Sequence, residues 1–232
     1  MGDYMRALLA GSELPPAGKQ AVAEKLHEYT GLPIALLLRA NLRINGGQFE
    51  KDLQLEEGTT TGRLDSRYKG PDLDPMSATA DYDPQSNAIA AAYAAAANSY
   101  LRKDLKFGSQ QTYVAGAYSL PGFSWDFRHQ QPGGPPVEQL FGGATNVMPD
   151  LAFSMKSNPK MKVMLAGGYF DVATPFFEGM YEMHHLPIPA KLQANISYHY
   201  YQSGHMVYVN EGVLKQFHGD VADFIRGTEG KQ

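Results

Sequence analysis

Met161-Lys162-Val163-Met164-Leu165-Ala166, closed by Gly167-Gly168, is the stretch that most limits the folds open to this chain. A nearly continuous apolar run ended by glycines is the pattern of a parallel strand covered on both faces. A helix over Pro175 to His185 follows, then a second strand over Ile196 to Tyr201. A final amphipathic helix, Gly212 to Ile225, carries Val213, Phe217, Val221 and Phe224 in register. Strand, helix, strand, helix predicts a right-handed β-α-β crossover, so residues 146–232 are expected to be α/β, with parallel strands and flanking helices.

The first part of the chain reads differently. Pro15-Pro16 precede a segment with Val22, Leu26 and Tyr29 at helical spacing, stopped by Gly31 and Pro33. A second apolar stretch, Leu36 to Ile44, is expected to end at Asn45-Gly46-Gly47, and a third short helix to cover Phe49 to Glu56. From Gly58 to Asp83 the texture of Thr, Gly, Asp and Pro predicts a long ordered loop with one strand. Asp83-Pro84 suits the start of a long alanine-rich helix with Ile89, Tyr93, Ala96 and Tyr100 on one face. An irregular region from Gly108 to Gly143 surrounds the single tryptophan, Trp125, and no internal repeat is present. Residues 1–145 are thus a mainly helical region with long loops.

Composition narrows the chemistry. The 232 residues are 43% hydrophobic and 19% charged, with a formal charge of −4 and a pI near 6.0, which gives no electrostatic reason to expect nucleic acid or an anionic membrane surface as partner. Cysteine is absent, so disulfides, thiolate catalysis and cysteine–zinc sites are excluded. No apolar run approaches the ~18–20 residues that cross a bilayer, and Met1-Gly2-Asp3-Tyr4 does not open a signal peptide. A soluble chain is expected; the compartment stays open, an exported parent included.

In sheets of parallel strands the reacting groups sit on loops past the strands' carboxyl ends. Asp171 follows the first strand and His205 the second. An imidazole is a useful general base when a carboxylate on Nδ1 fixes its tautomer and orientation, and acid before base is the order in α/β-hydrolases. The other reading of Asp171 is a turn or capping carboxylate ahead of Thr174-Pro175. The runs from Gly167 to Phe176 (Gly-Gly-Tyr-Phe-Asp-Val-Ala-Thr-Pro-Phe) and from Tyr200 to Tyr208 (Tyr-Tyr-Gln-Ser-Gly-His-Met-Val-Tyr) resemble the Asp and His blocks of serine carboxypeptidases, bacterial ones especially. Gly62-Arg63-Leu64-Asp65-Ser66-Arg67 and Gly70-Pro71-Asp72 are also similar to a stretch of that family, and the similarity runs nearly end to end. The resemblance implies an α/β-hydrolase sheet whose C-terminal part lies at 146–232, preceded by a helical cap or insertion at 1–145. It implies Asp171 as the orienting acid, His205 as the base and Met206 beside the substrate, a peptide with a free C-terminus. No cofactor or metal is implied.

A nucleophile elbow requires Gly-x-Ser-x-Gly, and the sequence contains none; Gly122-Phe123-Ser124-Trp125-Asp126 lacks the second glycine. In the family the elbow precedes the matched region, so the chain is expected to be the C-terminal portion of a larger hydrolase and inactive alone. The apolar strand would then expose an unpaired edge, and the missing N-terminal segment or another copy of the chain is the expected partner. Two alternatives remain: an esterase or other acyl hydrolase on the same fold, told apart by comparing a free C-terminus with its amide, and a non-catalytic binding or assembly module derived from a hydrolase.

Other candidates read more plainly. His184-His185 close a helix, where cationic imidazole suits the dipole, and with His199 and His205 they match no zinc spacing. Asp81-x-Asp83-x-Gln85-x-Asn87 starts like a calcium loop, but Ser86 and Ala92 stand where glycine and glutamate are needed. Gly142-Gly143-Ala144-Thr145 has no lysine and follows no clear strand, which argues against a phosphate cradle. Trp125, Phe123 and Phe127 either line a cleft or staple a loop.

Overall fold

The computed structural model describes residues 2–133 and 145–229. The chain divides into two compact units: unit 1 is Met1–Ala88 with Phe170–Ala173, and unit 2 is Ile89–Tyr169 with Thr174–Gln232. The fold is mixed α/β with short sheets, and the Gly142–Ala144 part of the glycine-rich run lies outside the described residues.

In unit 1, helices α1 (Gly2–Ala10), α2 (Pro16–Thr30) and α3 (Ile34–Arg39) pack around Ala7, Ala23, Leu32, Leu36, Leu37 and Leu42. Proline at its first position starts α2, and Gly31, at φ 77°, ends it by donating its N–H to the His27 carbonyl. Val22 and Leu26 face the core as the spacing predicts, but Tyr29 is 72% exposed. Asn45 does not stop a helix. It caps α4 (Gly46–Asp52) through a capping box with Gln48, so the expected third helix starts earlier, and a 3-10 turn at Leu55–Glu57 follows.

The stretch expected to be loop with one strand holds two, β1 (Thr59–Thr61) and β2 (Lys69–Pro71), paired antiparallel with Thr60 opposite Gly70. Asp83 then caps α5 (Pro84–Ser99), its Oδ1 accepting the Ser86 N–H at 2.5 Å. The face of α5 that alanine density suggested for packing leaves Tyr93 49% and Tyr100 57% exposed.

Glu50, on α4, is a buried carboxyl whose Oε1 makes no hydrogen bond, with Arg63 Nε 4.0 Å away. Burial pushes its pKa up; Arg63 opposes this and Asp83 adds to it. A carboxyl with a raised folded-state pKa costs stability above that pKa, and the cost lifts as pH falls to the unfolded value. Glu50→Gln is therefore expected to stabilise the protein by about 0.5 kcal/mol at pH 7, after allowing for solvent screening. The gain should shrink as thermal melts are repeated toward pH 4. A melting temperature lowered by the substitution at pH 7 would show that the carboxylate is well solvated.

In unit 2, α6 (Met148–Ser157) precedes β3 (Val163–Gly168); α7 (Phe176–His184) and α8 (Ala190–Gln193) lead to β4 (Ile196–Tyr201), and α9 (Glu211–Thr228) closes the chain. β3 and β4 pair in parallel, from Val163 opposite Ile196 to Gly168 opposite Tyr201. The expected strand-helix-strand-helix order is present. Among the described residues the sheet stops at these two strands, and β3 is not covered on both faces: Ala166 is exposed and only Gly168 is fully buried. Ala152, Met155, Leu186, Leu192 and Ile196 form one apolar cluster, while Val213 and Phe217 of α9 pack on Tyr201 and Val207.

Candidate functional site

The carboxyl ends of the parallel pair are set by a close approach of backbone. Tyr169 N–H donates to the Tyr201 carbonyl at 3.0 Å, which extends the pairing one residue past β3. Gly168 lies against the turn after β4, and a Cβ placed on it would collide with the carbonyl oxygens of Ser203 and Gly204. Ser203 is buried, its N–H folded back onto the Tyr201 carbonyl at 2.8 Å. This tight turn delivers His205 to an exposed position, with Nδ1 3.1 Å from Thr174 Oγ1. With the proton on Nδ1, the threonine oxygen accepts it; with Nδ1 unprotonated, the threonine hydroxyl donates to it. Met206 is half-buried and leads into a 3-10 turn, Val207–Val209, anchored by the buried Val207.

Asp171 belongs to unit 1, whereas Thr174 and His205 belong to unit 2. Its carboxylate is buried, and Oδ1 accepts the Ala173 N–H at 2.8 Å, so the turn-carboxylate role foreseen for it is realised. The residues on either side of it are held by the Gly62–Arg67 turn. Ser66 N–H donates to the Phe170 carbonyl at 2.9 Å, and Val172 N–H donates to the Arg63 carbonyl at 3.0 Å. Gly62 makes that turn possible, because a Cβ there would stand 2.5 Å from the Asp65 carbonyl oxygen.

Two contributions, one in each unit, were missed in the sequence. Thr174 had a signal, a hydroxyl three residues after Asp171, but was read only as the lead-in to Pro175. The grip of residues 63–67 on residues 170–172 had no local signal.

The remaining candidates resolve structurally. His185 stacks on Tyr181 with centroids 3.9 Å apart and pairs through Nδ1 with the Tyr181 carbonyl at 2.7 Å; His184 packs edge-on against Tyr198. His199 Nδ1 lies 3.7 Å from Asp220, whose Oδ2 accepts the Tyr201 hydroxyl at 2.9 Å. Burial, then this bond to Asp220, pushes the Tyr201 pKa well above its ordinary value. Among the described residues no three His, Asp or Glu side chains are grouped so as to hold a metal. Asp83, placed in the calcium-like run, spends Oδ2 on the Arg63 and Leu64 N–H groups at 2.6 and 2.9 Å. Trp125 packs edge-to-face on Tyr118 and Phe123 and at a tilt on Phe127, in a cluster that leaves Trp125 57% exposed. No described helix is long and apolar enough to cross a membrane. No family model, curated protein or solved structure matches this chain.

Proposed function

We propose that the chain is the C-terminal portion of a serine-carboxypeptidase-like hydrolase, contributing the orienting acid Asp171 and the base His205 to a nucleophile carried by a separate N-terminal segment. The observation that supports this most is the anchoring of His205 by Thr174 at the carboxyl edge of a parallel strand pair whose other loop carries Asp171.

In this reading the His205 imidazole takes the proton of a serine hydroxyl as that oxygen attacks the scissile carbonyl of a peptide's last bond. It returns the proton to the departing amine, which leaves an acyl-enzyme, then takes a proton from the water that attacks the acyl group and passes it to the departing serine oxygen. Asp171 steadies the imidazolium formed at each stage. Met206 offers an apolar, polarisable wall to the substrate. The remaining strands of an α/β-hydrolase sheet belong to the partner, against the edge of β3 that no described strand pairs with.

The test is the NMR spectrum of His205. Asp171→Asn is expected to change the ring nitrogen shifts that report which nitrogen carries the proton, because the carboxylate is proposed to fix the tautomer. Ring shifts that do not move would sink the assignment. In parallel, a fluorophosphonate probe should leave this chain unlabelled and label a serine of the partner segment once the two are combined. Rapid labelling of a serine within these residues would overturn the shared-nucleophile part.

A further inference from the structure

The Gly62–Arg67 turn does more than complete a hairpin. Asp65 is 1% exposed, and both of its carboxylate oxygens are committed to Arg67: Oδ1 accepts the backbone N–H at 3.0 Å and Nε at 2.9 Å, and Oδ2 accepts Nη2 at 2.6 Å. The fork fixes the guanidinium plane, whose central carbon lies 4.3 Å from the centroid of the Phe170 ring. Phe170 immediately precedes Asp171, and its carbonyl is held by Ser66. On the other side of Asp171, Val172 is held by the Arg63 carbonyl, and Arg63 is fixed in turn by Asp83 at the start of α5. The first residue of α4 closes on the same segment: a Cβ on Gly46 would meet the Val172 carbonyl and Cγ1, each at 3.7 Å.

We infer that Asp65 and Arg67 are positioning residues for Asp171, setting its carboxylate by holding Phe170 directly and by shaping the turn whose Arg63 carbonyl receives Val172. The inference rests on the proposed role of Asp171 in orienting His205. Neither residue reacts; the fork converts a surface loop into a segment with one backbone conformation. A lysine in place of Arg67 keeps the charge over the ring but loses the fork, so it retains part of the grip.

The experiment measures amide hydrogen exchange at Val172 and the His205 ring nitrogen shifts in Arg67→Ala and Arg67→Lys, with Leu37→Ala as a variant that loosens the unit 1 core without touching the turn. In Arg67→Ala, Val172 exchange is expected to quicken by about tenfold or more, and the His205 ring shifts to move in the direction of Asp171→Asn. Arg67→Lys should fall between that variant and the parent. Leu37→Ala should lower the melting temperature and leave the ring shifts alone. Unchanged Val172 exchange in Arg67→Ala overturns the inference, as does a ring-shift change equally large in Leu37→Ala. Should Asp171→Asn itself leave His205 unmoved, the catalytic reading falls, and Val172 exchange still decides whether the grip is real.

Discussion

Lys51→Met is expected to cost unit 1 about 3–5 kcal/mol, the range for removing one partner of a buried ion pair. Lys51 Nζ donates to Asp72 Oδ1 at 2.5 Å and to the Asp74 carbonyl at 2.6 Å, and both charged side chains are 3% exposed. Asp72 Oδ2 has no hydrogen-bond partner, so the ammonium is its main source of compensation. Without Lys51 the carboxylate is stranded between α4 and the loop after β2. Charge reversal at the exposed pair Lys69–Glu57 should by comparison change stability by about 1 kcal/mol or less. The double replacement Lys51→Met with Asp72→Leu should recover most of the loss, since two apolar groups need no desolvation penalty repaid. Urea titrations of the three proteins check this; a single-variant loss under about 1 kcal/mol would mean that water reaches the pair.

Gly168→Ala is expected to cost about 3 kcal/mol, the upper part of the range for overpacking, because the atoms in the way are backbone carbonyls rather than adjustable side chains. The turn Gln202–His205 must shift to admit the methyl group, and His205 leaves Thr174 with it. Gly167→Ala is the control one residue earlier. A Cβ there meets only the Tyr200 ring, at 3.6 Å, an ordinary contact, so the change should lie within about 1 kcal/mol of neutral and be stabilising if the backbone is unstrained. Thermal melts and the His205 signal should separate the two variants. Equal losses would place the strain in the strand rather than in its approach to the turn.

These neighbouring glycines show where sequence reading stops. Gly167-Gly168 correctly marked the end of an apolar strand, but only the pairing with β4 tells which glycine faces the turn. In the last third β3 was legible as an apolar run closed by glycines and α9 by its helical period, while α6 and α8 were not foreseen; α2 was legible because Pro16 and Gly31 bracket it. The β1–β2 hairpin was not, since Thr59–Thr61 and Lys69–Pro71 are too short to show alternation. Asn45-Gly46-Gly47 misled because asparagine and glycine both end and begin helices, and Gln48 decides the matter. At the candidate site, Asp171 and His205 were reachable from their places after two strands. The Arg63–Val172 and Ser66–Phe170 bonds were not, because they join residues more than a hundred positions apart without any shared pattern.

Unit 1 is assembled from two stretches of sequence, with residues 89–169 made between them. During synthesis the helices of Met1–Ala88 emerge first and can begin to pack. At about 5–20 residues per second, several seconds pass before Phe170–Ala173 arrive. Until then the Arg63 carbonyl and the Ser66 amide lack the backbone partners that Val172 and Phe170 bring, and the aspartate proposed as the orienting acid does not yet exist. Completion of the turn's bonding and arrival of that aspartate are one event on the ribosome.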